Sequence, residues 1–334
     1  MSIASEITRL QNAKSDIKAS IENKGVTVGD GTIDTYASKI NEISTSSAVL
    51  GTKTITENGT YKAIDDELDG YSEVEVACSK YAPRIISFSG YKGAELNYEI
   101  ANLDTSNVTD MNSMFYDCNK LTTLDLSNFN TSSVSSMNNM FNSCVILVNL
   151  NLSNFITNNL TSSQYMFAYC SALKSLNLSN FNTSKVINMS NMFYGCTKLE
   201  YLDLSNFDTS KVVNFSNIFY NCIKLTTIPK LNASSSININ NFAYSCKSLT
   251  DFGGLENLGQ AYSTTSSANY GNYKLDLSTC TALTHDSLMN VINNLYDIAT
   301  KGCNTQQLVL GSTNIAKLTA EEIAIATNKG WTVS

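Results

Sequence analysis

Proline is almost missing from this chain of 334 residues: Pro83 and Pro229 are the two present, so the long stretch between them contains nothing that would interrupt a repeating backbone. Histidine and tryptophan occur once each, as His285 and Trp331. One histidine and no paired CxxC motifs leave a metal string without its usual ligands. Charge is scarce as well, 15% of residues against roughly 25% in ordinary soluble proteins, with Asn, Ser and Thr making up the difference. At a net charge of -7 no basic stripe is available to neutralise phosphates, which argues against nucleic acid and anionic membranes as partners. No apolar run approaches the roughly 18 residues of a membrane span. The N-terminal MSIASEITRLQNAKSDIKAS lacks the apolar core of a secretory signal, and no LPxTG-type sorting motif follows. The expectation is a product made in a cytoplasm and not exported by the general route.

What is abundant is repetition. LTTLDLSNFNTSSVSSMNNMFNSCVI, LVNLNLSNFITNNLTSSQYMFAYCSA, LKSLNLSNFNTSKVINMSNMFYGCTK and LEYLDLSNFDTSKVVNFSNIFYNCIK, spanning Leu121 to Lys224, align without a gap at 26 residues each. Cys118, Cys144, Cys170, Cys196 and Cys222 keep this period, Cys246 follows after 24, and Phe115, Phe141, Phe167, Phe193 and Phe219 keep it too. A fixed period of this size signals stacked units. Leu176 and Leu178 with their equivalents alternate with polar residues as half-buried strands do. Val186, Met189, Met192 and Phe193 then follow the apolar stripe of a short helix, with Ser184 placed to cap it. Each unit therefore reads strand, turn, short helix, turn.

The five periodic cysteines are expected to be structural core. Neighbouring units at the strand spacing of about 4.7–4.9 Å bring them within disulfide range. Equivalent positions in a stack, however, have parallel Cβ vectors, whereas a bridge needs converging ones. Buried, unpaired thiols follow, with no metal and no cofactor.

The pattern L-x-x-L-x-L-x-x-N/F resembles leucine-rich repeats, and the units with MF-x-x-C and LDLSNFDTS resemble the BspA-type family over about residues 98–255. That resemblance implies an α/β solenoid, a leucine-rich repeat stack of 26-residue units with an N-terminal helical segment and a small β module. It implies that Asn102, Asn128, Asn154, Asn180 and Asn206 satisfy backbone groups of the turns. The chain divides into a helical attachment or oligomerisation segment (1–47), a small β module (48–80), the repeat solenoid (81–255), and irregular repeats with a cap (256–334).

Residues 4–23 read as an amphipathic helix on the seam Ile3, Ile7, Leu10, Ile17 and Ile21. Two outcomes are open: self-association, such as a homotrimer, or packing on the next short helix around Tyr36, Ile40 and Ile43. Thr52–Thr56, Thr60–Ala63 and Ser72–Cys78 alternate as strands, the first turn being Glu57-Asn58-Gly59. Asp65, Asp66 and Glu67 lack the spacing of a calcium loop. Toward the C-terminus, Thr284 is placed to cap a helix, Thr319 with Glu322 to form a capping box, and Trp331 to cover the final unit. His285 is assigned to the helix entrance with no catalytic part.

Residues 7–43 resemble the N-terminal segments of tail- and baseplate-associated phage and prophage proteins, and TKTITENGTY with DGYSEVEV resembles a module of such proteins. This implies a virion protein: a non-enzymatic tail or baseplate appendage, attached to other tail proteins through its N-terminus and presenting the repeats for recognition of a host surface glycan or protein. The alternative is a leucine-rich repeat adhesin on a bacterial cell surface. One candidate contact set is the Tyr, Ser, Gly and Asn-rich stretch 259–274, with Tyr262, Tyr270 and Tyr273, because such residues serve binding loops. A second is the outward column Asp125, Asn151, Asn177 and Asp203 with Tyr201, and a third is Tyr116, Tyr194 and Tyr220. Asp125 and Asp203 stand alone among asparagines at equivalent positions, so the repeat places no catalytic acid pair.

Overall fold

A computed structural model describes residues 50–55, 60–62, 73–78, 85–89, 91, 103, 105–261, 273–301 and 303–334. The N-terminal segment 1–47, with its expected helix and self-association, lies outside them, as do Asp65, Asp66 and Glu67.

From Thr105 onward the 26-residue period becomes coils laid one upon the next. Asp110, Ser136, Ser162, Asn188, Asn214 and Asn238 form one line of parallel single-residue bridges across them. The leucine strands are very short: β5 (Thr123–Asp125), β6 (Asn149–Asn151), β7 (Ser175–Leu176), β8 (Tyr201–Leu202), β9 (Thr227–Ile228), β10 (Leu231–Asn232), β11 (Asp251–Phe252) and β12 (Leu255–Glu256). They pair in parallel only as β5–β6, β7–β8, β9–β11 and β10–β12, in separate two-stranded sheets. Before them, β1 (Leu50–Ile55) pairs with β3 (Glu73–Cys78) and β2 (Thr60–Lys62) with β4 (Ile85–Ser87), both in parallel. β1 and β2, the strands either side of Glu57-Asn58-Gly59, therefore pair with β3 and β4 and not with each other.

The expected α/β leucine-rich repeat solenoid is corrected. The sheets are small and separate, and the helix expected in every unit is absent. Val186, Met189, Met192 and Phe193 are all buried, as their spacing requires, but the backbone carrying them is a run of turns. Two positions in each coil are left-handed: Asn191 (φ 59°) and Gly195 (φ 71°) here, Asn139 (57°) and Ser143 (67°) two coils earlier, Asn217 (55°) and Asn221 (59°) one coil later. A left-handed residue every fourth position forbids an α-helix. Its backbone groups find other partners. The N–H groups of Asn191, Phe193 and Gly195 donate across to Ser216, Ile218 and Tyr220 of the next coil, while those of Met192, Tyr194 and Cys196 close turns onto the residues three before them. Ser184 does not cap a helix; its amide and hydroxyl both bond to Asn182 Oδ1, at 3.0 and 2.7 Å.

Three columns tie the coils together. Phe88, Phe115, Phe141, Phe167, Phe193 and Phe219 stack face to face at centroid spacings of 5.4–5.7 Å. The stack turns edge-on at Phe242, where the next coil is two residues short and Ala243 falls in the phenylalanine column. Buried Thr105, Thr131, Thr157 and Thr209 each donate a hydroxyl to a carbonyl of the following coil and accept that residue's N–H. The thiols of Cys144, Cys170, Cys196 and Cys222 each lie 3.1 Å from the carbonyl of Phe115, Phe141, Phe167 and Phe193, respectively, one coil back. Cys118, Cys144, Cys170, Cys196 and Cys222 are all free and buried.

The C-terminal part is built differently. β13 (Lys274–Asp276), β14 (Gln306–Val309) and β15 (Trp331–Val333) make a three-stranded parallel sheet. α1 (His285–Asn294), α2 (Gly311–Ile315) and α3 (Ala320–Asn328) are the α-helices lying wholly within the described residues. Thr284 caps α1 by accepting the Ser287 N–H, and Thr319 with Glu322 forms the expected capping box on α3. Trp331 is buried and donates its indole N–H to the Tyr296 carbonyl at 3.0 Å. Among the described residues no helix is long and apolar enough to cross a membrane.

Candidate functional site

The outward column Asp125, Asn151, Asn177 and Asp203 is exposed, yet each side chain is engaged. Its Oδ1 accepts the N–H two residues on, from Ser127, Ser153, Ser179 and Ser205, at 2.9–3.1 Å. These bonds shape the turn after each strand, and in Asp203 they hold the carboxyl below its usual range. Tyr201 stands beside this column and is 59% exposed. The next asparagines serve the same turns. Asn180 Nδ2 reaches the carbonyls of Leu152, Ser153 and Phe155, and Asn206 repeats this one coil later on Leu178, Ser179 and Phe181. In the stretch 259–274, Tyr273 is buried, its hydroxyl donating to the Ser236 carbonyl at 3.2 Å, so it is no surface contact. Tyr262 and Tyr270 lie outside the described residues.

The structure does assemble a tyrosine ladder. Tyr194 and Tyr220 stack with centroids 4.7 Å apart and planes within 2°, and Tyr220 and Tyr244 stack at 5.5 Å and 18°. Tyr169 closes the upstream end, 5.1 Å from Tyr194 and tilted by 59°. Tyr116 is in the same sequence column and 41% exposed, but Asn142 and Ala168 occupy that column in the two coils between. The signal for Tyr244 is present in the sequence, since it precedes Cys246 by two residues as Tyr220 precedes Cys222. Tyr169 is one residue out of that column and joins the ladder only through its backbone.

That backbone is unusual. In its coil both left-handed positions are tyrosines, Tyr165 (φ 57°) and Tyr169 (φ 58°), where other coils place Asn, Ser, Asp or Gly. The Tyr169 ring lies over Gly195, where a Cβ would stand 3.1 Å from the ring Cδ1. Burial first, then the hydrogen bond the Tyr194 hydroxyl gives to Tyr169, raises the Tyr194 phenol above its ordinary pKa. Among the described residues no hydrogen bond engages the hydroxyls of Tyr220 and Tyr244. Among those residues, too, no group of three or more His, Cys, Asp or Glu could hold a metal ion. His285 sits at the start of α1, Nε2 2.9 Å from Glu322 and Nδ1 3.3 Å from Asp286.

A protein-family model described as "Mycoplasma protein of unknown function, DUF285" matches residues 87–176 and 147–254, together half of the chain. A search of the curated proteins gives no match. The family match overturns the resemblance to BspA-type leucine-rich repeats and to phage tail proteins. The readings that rested on it, a virion appendage for host-surface recognition or a cell-surface leucine-rich repeat adhesin, fall with it.

Proposed function

Because the chain belongs to that family, whose description assigns no activity, we propose from the geometry that it is a non-enzymatic binding scaffold whose contact surface is the ladder Tyr169, Tyr194, Tyr220 and Tyr244. The observation that carries this is the left-handed backbone of Tyr169. A side chain other than glycine or asparagine costs about 1–2 kcal/mol there, and burial does not offset it, because Tyr169 is 44% exposed. Backbone strain of this kind collects at functional sites. A tyrosine that weakens the fold and remains at the surface serves contact with something else.

The non-enzymatic half is supported by the carboxylates. Asp125 and Asp203 are separated by two coils that carry asparagine at the same position, and both are committed to their own turns. Self-association through residues 1–47 belongs to the proposal as well, and sedimentation of the full chain against one beginning at residue 48 checks it.

The test of the scaffold uses a variant the fold already accommodates. Asn142 occupies the ladder column in an earlier coil, so Tyr194→Asn with Tyr220→Asn should leave far-UV circular dichroism unchanged. The full chain and this variant are compared on neutral polysaccharides, heparin, single-stranded DNA and an extended peptide library. Binding of one class by the native chain, weakened about tenfold or more in the variant, supports the reading. Equal binding by both proteins, or binding to no class, overturns it, and release of shortened polymer overturns the non-enzymatic part.

A further inference from the structure

We propose that the ladder binds an uncharged, extended β-1,4-linked hexopyranose chain lying along the stack, one sugar to each coil. This rests on the scaffold reading and names its ligand. Three observations support it.

The first is repeat length. Successive rings are 5.1, 4.7 and 5.5 Å apart, so the ladder offers one phenol about every coil spacing. A β-1,4-linked hexopyranose chain in its extended form advances by closely this length per sugar. An extended peptide advances roughly 3.3 Å per residue and returns a side chain to the same face at roughly 6.6 Å, so it falls out of step within two coils.

The second is charge. Between Thr105 and Leu258 the chain has eight lysines and eight carboxylates, so the coils have no net field to attract a polyanion or a polycation. A neutral polymer loses nothing by this.

The third is the chemistry presented. Ring faces in the stacked part of the ladder cover one another, which leaves ring edges and the hydroxyls of Tyr220 and Tyr244 for the ligand. Asn217 and Asn241 lie three residues before Tyr220 and Tyr244, with Asn241 Nδ2 donating to Asn217 Oδ1 at 3.0 Å, while the equivalent Asn191 is buried. Parallel rows of phenols and carboxamides suit a polyol, whose hydroxyls both donate and accept. The tilted ring of Tyr169 ends the row and can stack on the C–H face of a terminal sugar.

Calorimetric titration of the full chain with β-1,4-linked gluco-oligosaccharides of increasing length, and with the N-acetylated series, distinguishes the two sources of this backbone. Affinity should rise with each sugar until four are present and then level off, because four tyrosines make the ladder. Tyr220→Asn should weaken the tetrasaccharide about tenfold, and a tenfold rise in salt should change the affinity by less than about twofold. Failure of both series to bind, equal binding of the α-1,4-linked tetrasaccharide, absence of a length dependence, or a steep salt dependence overturns the assignment. If a peptide or polyanion is instead the polymer lost in the double asparagine variant, the scaffold stands and the glycan does not.

Discussion

Cys196 donates its thiol hydrogen to the carbonyl of Phe167, 3.1 Å away in the preceding coil. That carbonyl also accepts the Cys170 N–H that closes its own turn, so the thiol is its second donor, and burial pushes the Cys196 thiol up to about 12. Cys280 is held at about 12 by the same cause, and Cys222 and Cys246 are also raised well above the ordinary value by burial. Since the thiolate is the nucleophile, these sulfurs are inert in the folded chain. Thiol titration of the native protein should label Cys303, which is partly exposed, and leave Cys118, Cys144, Cys170, Cys196, Cys222, Cys246 and Cys280 unlabelled until denaturant is added. Rapid native labelling of the buried set would contradict the packing.

Ser190 is the counter-example within the same coil. Its hydroxyl is buried with no hydrogen-bond partner. Two coils earlier the equivalent Asn138 accepts the Ser162 hydroxyl at 2.6 Å and the Gln164 N–H at 2.9 Å, a reach serine does not have. Ser190→Ala removes the unpaired hydroxyl and keeps the N–H bond to Asn188. Stability should rise by about 1 kcal/mol, read as a higher urea midpoint at unchanged slope.

Asn221 tests the left-handed column directly, because no hydrogen bond of its side chain accompanies its φ of 59°. Asn221→Ala should cost about 1 kcal/mol, while Asn221→Gly should be close to neutral. Equal destabilisation by both variants in thermal unfolding would point to a lost side-chain contact instead of backbone strain.

His285 and Glu322 join α1 to α3 across 2.9 Å, and the pair predicts how stability varies with pH. The hydrogen bond to Glu322, then that to Asp286, raises the histidine above 6.5; the Thr319 N–H, then His285, lowers the glutamate below 4.5. A raised histidine stabilises fully below its ordinary pKa and loses that contribution as pH climbs through the folded value. A lowered glutamate stabilises fully above its ordinary pKa and loses it as pH falls through the folded value. The pair should therefore contribute most between about pH 4.5 and 6.5 and decline on both sides. His285→Ala should remove the alkaline decline from a plot of Tm against pH; an unchanged alkaline arm would assign it to other groups.

Sequence alone determined the 26-residue period, the inward columns of leucine, phenylalanine and cysteine, and the caps at Thr284 and Thr319, because each depends on residues a few positions apart or on simple recurrence. The tertiary structure decided the rest. Val186, Met189, Met192 and Phe193 satisfy a helical spacing and a chain of left-handed turns equally well. The choice between them lies in N–H groups whose acceptors are 25 residues away, in the next coil. The same long-range pairing turned Tyr273 inward, separated β1 from β2, and brought Tyr169 beside Tyr194. Apolar spacing records which side of the chain faces inward; the path of the backbone that puts it there depends on partners the local sequence does not contain.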